Sequence, residues 1–237
     1  MRTFRILIGL LLVIGTGLAA ARLLGVRSAQ ASPGAPATPP QAPTETFPKD
    51  VYADTGNRLP AIKREDLDEA GKKVFDNKGG PADSFGPGAI RMYSPVLDEH
   101  MVAVNDYLRH KGGLETRYVE LAILVAAREF DSEYVWTAHE PQALKAGEPQ
   151  EIIDIVKFHK SAEGIAEKDA AIIQLGRETI ERHHASSATA ARAMSLFGKQ
   201  GTVNLVSLMG DYASTAILLN AFDQHVRPAD KPLLPIP

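Results

Sequence analysis

From Glu115 to Arg128 the chain is apolar on nearly every side of a helix. Val119, Leu121, Ala122, Ile123, Leu124, Val125, Ala126 and Ala127 follow one another almost without a break. Such a helix has no wide polar face to offer water, so it belongs at the centre of a core. The rest of the fold has to be built around it. Elsewhere the apolar residues recur at helical spacing. His100 to His110 carries Val102, Val104, Tyr107 and Leu108 near one face, and Lys168 to His184 carries Ala171, Ile172, Leu175 and Ile180. Further helices are predicted over Glu65–Phe75, Glu133–Ala146, Gln150–His159, Ser187–Phe197 and Gly201–Phe222. Gly147 closes the second of these, and Pro149 opens the third. Asp131 or Ser132 is expected to cap the helix that starts at Glu133. No Asn-Gly hairpin signal and no period-two strand interrupts this pattern, so the predicted class is all-α. The two halves share a faint rhythm, a long apolar helix after a polar one.

Residues 59–228 form the expected folded domain. Residues 1–31 read as an export signal. Arg2 and Arg5 precede the apolar run Ile6–Ala20, and Ala29-Gln30-Ala31 fits a small-x-small cleavage site, with Ala19-Ala20-Ala21 competing. If the segment stays uncleaved, it anchors the protein to a membrane. Residues 32–58 are rich in Pro, Ala and Thr and are expected to be a linker, and residues 229–237 a Pro-rich tail. The expected location is therefore periplasmic or secreted. A formal net charge of -3 gives no basic footprint for nucleic acid. The sequence has no cysteine, which excludes disulfides, thiolate metal sites and cysteine catalysis. The histidines have no metal-binding spacing, so neither a metal nor a cofactor is expected.

Three ionisable residues interrupt the central helical region: Glu120, Glu133 and His139. Two readings fit Glu120 and His139. The short break at Phe130-Asp131 can fold the second helix back so that the carboxylate orients the imidazole, giving an acid/base pair. Alternatively, Glu120 bridges helices and His139 is a satisfied core histidine. Glu133 suits the first turn of its helix through the helix dipole alone. Trp136 and Tyr134 are packing groups that can also line a pocket, and Tyr212 and Asn220 of the last helix can face the same space. Ser132 lacks the surroundings of a nucleophile elbow.

The run from Glu120 to Gly147 resembles the carboxymuconolactone decarboxylase family, within the alkylhydroperoxidase D-like superfamily. Members read like Glu-Leu-Ala-Ile-Leu, then Tyr-x-Trp-x-x-His, then Ala-Gly. Here these are Glu120–Leu124, Tyr134 to His139 and Ala146-Gly147. The resemblance is strong over about 30 residues. It continues loosely from Leu59 to Pro228, including Gly210-Asp211-Tyr212. It implies an all-α, alkylhydroperoxidase D-like helical bundle that assembles as a homo-oligomer, a trimer or hexamer. In the peroxidase branch a Cys-x-x-Cys pair lies between the glutamate and the histidine. Ser132 and Val135 occupy those places here, so thiol peroxidase chemistry is not expected. The decarboxylase branch needs no redox group. The resemblance thus implies cofactor-independent acid/base chemistry on a small carboxylated lactone or keto acid. Glu120, His139 and Glu133 are the expected catalytic residues, with Arg117, Trp136 and Tyr134 against the substrate. A non-catalytic binding role on the same scaffold is the alternative.

Overall fold

A computed structural model describes residues 47–80 and 83–236, all within the compact unit Pro43–Pro237. The expected signal segment and most of the expected linker lie outside the described residues. Among the described residues eight α-helices follow one another: α1 (Glu69–Lys78), α2 (Pro87–Arg91), α3 (Pro95–Asp106), α4 (Thr116–Glu129), α5 (Glu133–Lys145), α6 (Gln150–Lys157), α7 (Glu167–Gly176) and α8 (Ser187–Ala221). A π-helical turn extends α3 over Tyr107–Lys111, and another extends α7 over Arg177–Glu181. α8 breaks at Gly198, whose φ of 69° leaves the helical region. That break matches the expected division between a helix ending at Phe197 and one starting at Gly201.

α4 takes the central place its composition demands. Every residue from Val119 to Ala127 is buried, and the helix packs against α5, α6, α7 and α8. Each of Leu121, Ile123 and Leu124 is fully enclosed, and burial of a side chain of that size stabilises by about 1.5–3 kcal/mol.

The break between α4 and α5 is built differently from the expectation. The Asp131 N–H donates to the Arg128 carbonyl and the Ser132 N–H to the Ala127 carbonyl, with Asp131 at a φ of 46°. This is a Schellman ending with aspartate in the left-handed position, where a short polar side chain is tolerated. The Asp131 carboxylate pairs with Arg128 and so does not cap α5. Ser132 stands at the N-cap position, but its buried hydroxyl has no hydrogen-bond partner. α5 ends in the same way, with Gly147 at a φ of 90° and the Glu148 N–H reaching back to the Ala143 carbonyl. At the start of α8 the cap is Ser186, one residue before the expected Ser187.

The packed body also begins before Leu59. Val51, Thr55 and Asn57 are buried. The Gln224 side chain joins this arm to the rest: its carbonyl accepts from Asn57 and from the Gly86 N–H, and its amide donates to the Thr55 carbonyl. The far end of the chain is held as well. Leu234 is buried, the Leu233 N–H donates to the Thr137 hydroxyl, and Arg128 donates to the Pro235 carbonyl. The segment expected to be a Pro-rich tail therefore lies against α4 and α5.

Arg117 ties together three element ends. Its guanidinium bonds Glu148 after α5 at 2.9 Å and Asp169 in the first turn of α7 at 2.8 Å. The Glu148 side chain has no exposure, and its second oxygen has no partner. Burial pushes its carboxyl up to about 7; Arg117 pulls it down and Asp169 adds to the rise. A carboxyl raised in the folded state binds its proton more tightly there than in the unfolded chain. Its contribution to stability is thus full below pH 4.5, the ordinary value, and is lost as pH rises through about 7. The unfolding free energy contributed at this position should fall by about 1–3 kcal/mol between pH 5 and pH 8. Urea unfolding at the two pH values checks this: Glu148→Gln should shrink the difference by that amount, and an unchanged difference would assign the pH dependence elsewhere.

Candidate active site

Glu120 and His139 meet. Glu120 projects from α4 and is only 2% exposed. Its Oε2 lies 2.7 Å from Nδ1 of His139 on α5, and its Oε1 accepts a hydrogen bond from Arg109 at 3.0 Å. Burial pushes the Glu120 carboxyl upward. The hydrogen bond and charge of His139, with those of Arg109, outweigh that push and hold it below the usual carboxylate range. Glu120 is therefore ionised and has no proton to give. Nδ1 of His139 must be the donor in that contact, which fixes the tautomer. Nε2 has no hydrogen-bond partner among the described residues and is the nitrogen free to exchange a proton.

His139 borders a cavity of about 230 Å³. Arg109, Asn105, Tyr134 and Tyr212 line it with Thr215, and Val135, Ala138 and Pro87 supply apolar wall. Arg91 also reaches it while pairing with Asp98 at 2.9 Å. Tyr212 presents its ring edge-on to His139, with centroids 5.1 Å apart. Burial pushes the Tyr212 phenol up, so it stays a neutral hydroxyl near pH 7. Tyr134 reaches the wall because Gly86 yields space: a Cβ there would stand 2.3 Å from the Tyr134 hydroxyl, and its φ of 90° suits only glycine.

Arg109 was not among the sequence candidates. It stands in the π-helical turn after α3, a run of Tyr, Leu, Arg, His and Lys that reads as an ordinary helix end. The extra residue per turn re-aims the side chain towards α4, and π-turns of this kind recur at functional sites. The Arg109 Nε is buried without a partner, so this cation is not fully used by Glu120. Asn105, one turn earlier, donates to Asp211 of α8 at 2.8 Å.

The other expected site residues are placed differently. Tyr134 is at the cavity, as is Tyr212. Arg117 is held in the Glu148 and Asp169 pairs and does not line it. Trp136 is fully buried behind the site, where its indole N–H donates to Glu140, itself paired with Lys157 at 2.8 Å. Both are expected against the substrate; the first is held in charge pairs and the second is enclosed in the core. Glu133 opens α5 and is not part of the cavity wall. Asn220 instead donates to the Phe130 carbonyl at the α4–α5 break. No group of three or more His, Asp or Glu residues that could hold a metal occurs among the described residues.

No family model matches the sequence, and no curated protein does. A solved structure does match: a protein from Ralstonia eutropha JMP134 described as an alkylhydroperoxidase AhpD core and an uncharacterized peroxidase-related protein. The similarity has a TM-score of 0.58 and covers 73% of this chain and 93% of that one, at 14% identity. At that identity the match speaks for architecture, and the chain has the all-α AhpD-like fold.

Proposed function

We propose that the protein catalyses cofactor-independent proton transfer on a small carboxylated lactone or keto acid, in the manner of a carboxymuconolactone decarboxylase. The observation that carries this reading is the 2.7 Å contact between Glu120 and Nδ1 of His139 at the wall of a cavity that also holds Arg109. A buried, ionised carboxylate fixes the imidazole, and the outer nitrogen is left for substrate. Arg109 and Arg91 offer positive charge to a substrate carboxylate or to a developing enolate oxygen. In the lyase direction the bond to the departing carboxylate breaks and carbon dioxide leaves. The electron pair spreads into an enolate facing Arg109, and Nε2 of His139, which first takes up a proton from water while Nδ1–H stays on Glu120, delivers that proton to the carbon. Glu133, Arg117 and Trp136 stay outside the reacting set.

Peroxidase chemistry is the second reading, favoured by the description of the AhpD-core structural match. A thiol route lacks its nucleophile here, since the sequence holds no cysteine. Export and self-assembly remain part of the proposal. Val102, Val104 and Tyr107 on α3 and its π-turn, and Val203, Val206 and Ile217 on α8, are exposed apolar side chains that support a homo-oligomer.

Screening the purified protein against carboxylated lactones and keto acids tests the chemistry. His139→Gln should lower turnover by about 100- to 10,000-fold, with the far-ultraviolet circular dichroism unchanged; undiminished turnover sinks the assignment. Glu120→Gln should lower kcat with a smaller effect on KM, because it removes orientation of the imidazole and not substrate binding. Because Glu120 titrates below the ordinary carboxylate value of 4.5, no loss of activity above that pH should disappear in Glu120→Gln. Peroxide with a dithiol reductant should be consumed no faster than in buffer, and turnover there would favour the second reading.

A further inference from the structure

Each half of the chain ties a π-turn to the helix that follows it through a side-chain contact. Arg109 and Glu120, 11 residues apart, join the first π-turn to α4. Glu178 and Thr189, also 11 residues apart, join the second π-turn to α8 at 3.0 Å. An amide stands one turn before each: Asn105 before Arg109, and Gln174 before Glu178 with a 3.0 Å hydrogen bond between them. Each arrangement opens onto a cavity. The first is the His139 cavity. The second has a volume of about 500 Å³ and lies between the second π-turn and the loop Ser161–Ile165. Its wall has no histidine.

Three guanidinium groups line this second cavity: Arg177, Arg182 and Arg192. Arg177 is fixed by donating to the carbonyls of Lys160 and Ile155 at 2.9 and 3.0 Å. Arg182 makes no ion pair among the described residues, and the nearest carboxylate to Arg192 is that of Glu167 at 3.6 Å, both side chains being well exposed. Two carboxylates share the wall. Glu163 is exposed. Glu178 is spent: it accepts from the Ser186 N–H, Gln174 and Thr189, which hold its carboxyl down at about 2. Glu178 remains an anion in the wall but pairs with neither Arg182 nor Arg192; Arg182 has no ion pair among the described residues and Arg192 only the long one with Glu167, so their planar forks can take an incoming carboxylate. Ser161 and Gln174 add polar groups, and Ile173 gives an apolar floor. The volume suits a small ligand.

We propose that this second cavity binds a small hydroxylated carboxylate, the size of a sugar acid, through Arg182 and Arg192. The site is separate from the His139 cavity and does not depend on the chemistry proposed there. Gluconate titrated into the full chain at low salt, followed by calorimetry, tests it, with glucose as the uncharged control. Saturable gluconate binding is expected. It should weaken by about tenfold or more in the Arg182→Gln, Arg192→Gln double variant, keep its affinity in His139→Gln, and have no counterpart with glucose. Both arginines are exposed, so the double variant should keep the wild-type circular dichroism. Absence of saturable binding, equal affinity in the double variant, equal affinity for glucose, or loss of binding in His139→Gln would each overturn the proposal.

Discussion

A single ionised carboxylate sits in the middle of the central helix of this protein, and its neighbours are arranged around it. Glu120 interrupts a run of buried aliphatic residues from Val119 to Ala127. A carboxylate so placed carries a heavy desolvation cost unless hydrogen bonds and opposite charge offset it. His139 and Arg109 together supply both. Meeting that demand constrains two other parts of the chain. α5 must return so that His139 faces α4, and the chain after α3 must widen into a π-turn so that Arg109 reaches the same oxygen pair. The Nε2 edge of the imidazole is then left without a partner beside a cavity that Arg109 also lines.

The framework that makes this return is a set of left-handed stops. Asp131 and Gly147 end α4 and α5 in the same hydrogen-bonding pattern. They fix where α5 starts and finishes, and hence the register that sets His139 against Glu120. The short break between α4 and α5 is held from outside as well, by Asn220 of α8. The Arg117 pairs with Glu148 and Asp169 secure the opposite end of α4. The family resemblance implies Arg117 as a substrate ligand. Its charge is committed to holding helices together, and Trp136 with Glu140 and Lys157 does the same on another side of α5.

Each half of the chain links its π-turn to a later helix through a side-chain contact. Arg109 meets Glu120 and Glu178 meets Thr189 across the same separation in sequence, and the residues differ in charge and chemistry. One half sets a carboxylate–imidazole pair at a small cavity. The other closes its carboxylate off with hydrogen bonds and surrounds a larger cavity with guanidinium groups. A common backbone device can thus present two distinct polar environments, because the π-turn governs direction and the residues upon it govern charge.

Helical periodicity, the apolar run of α4 and the absence of strand signals were enough to establish an all-α class, since these depend on local spacing. Glu120 and His139 were legible as a pair because an ionisable residue within an apolar helix has to find a partner. The sequence likewise marked the break near Gly198 and the end of α5 at Gly147, where backbone conformation favours glycine. What tertiary structure alone decided was which further side chains meet that pair. Arg109 depends on a π-turn that its residues do not announce, and Tyr134 depends on the space beside Gly86. The ordering of residues 47–58 and of Leu233–Pro235 depends on contacts with Gln224, Thr137 and Arg128, all far off in sequence. Such contacts are set by packing across the core, and no local pattern encodes them.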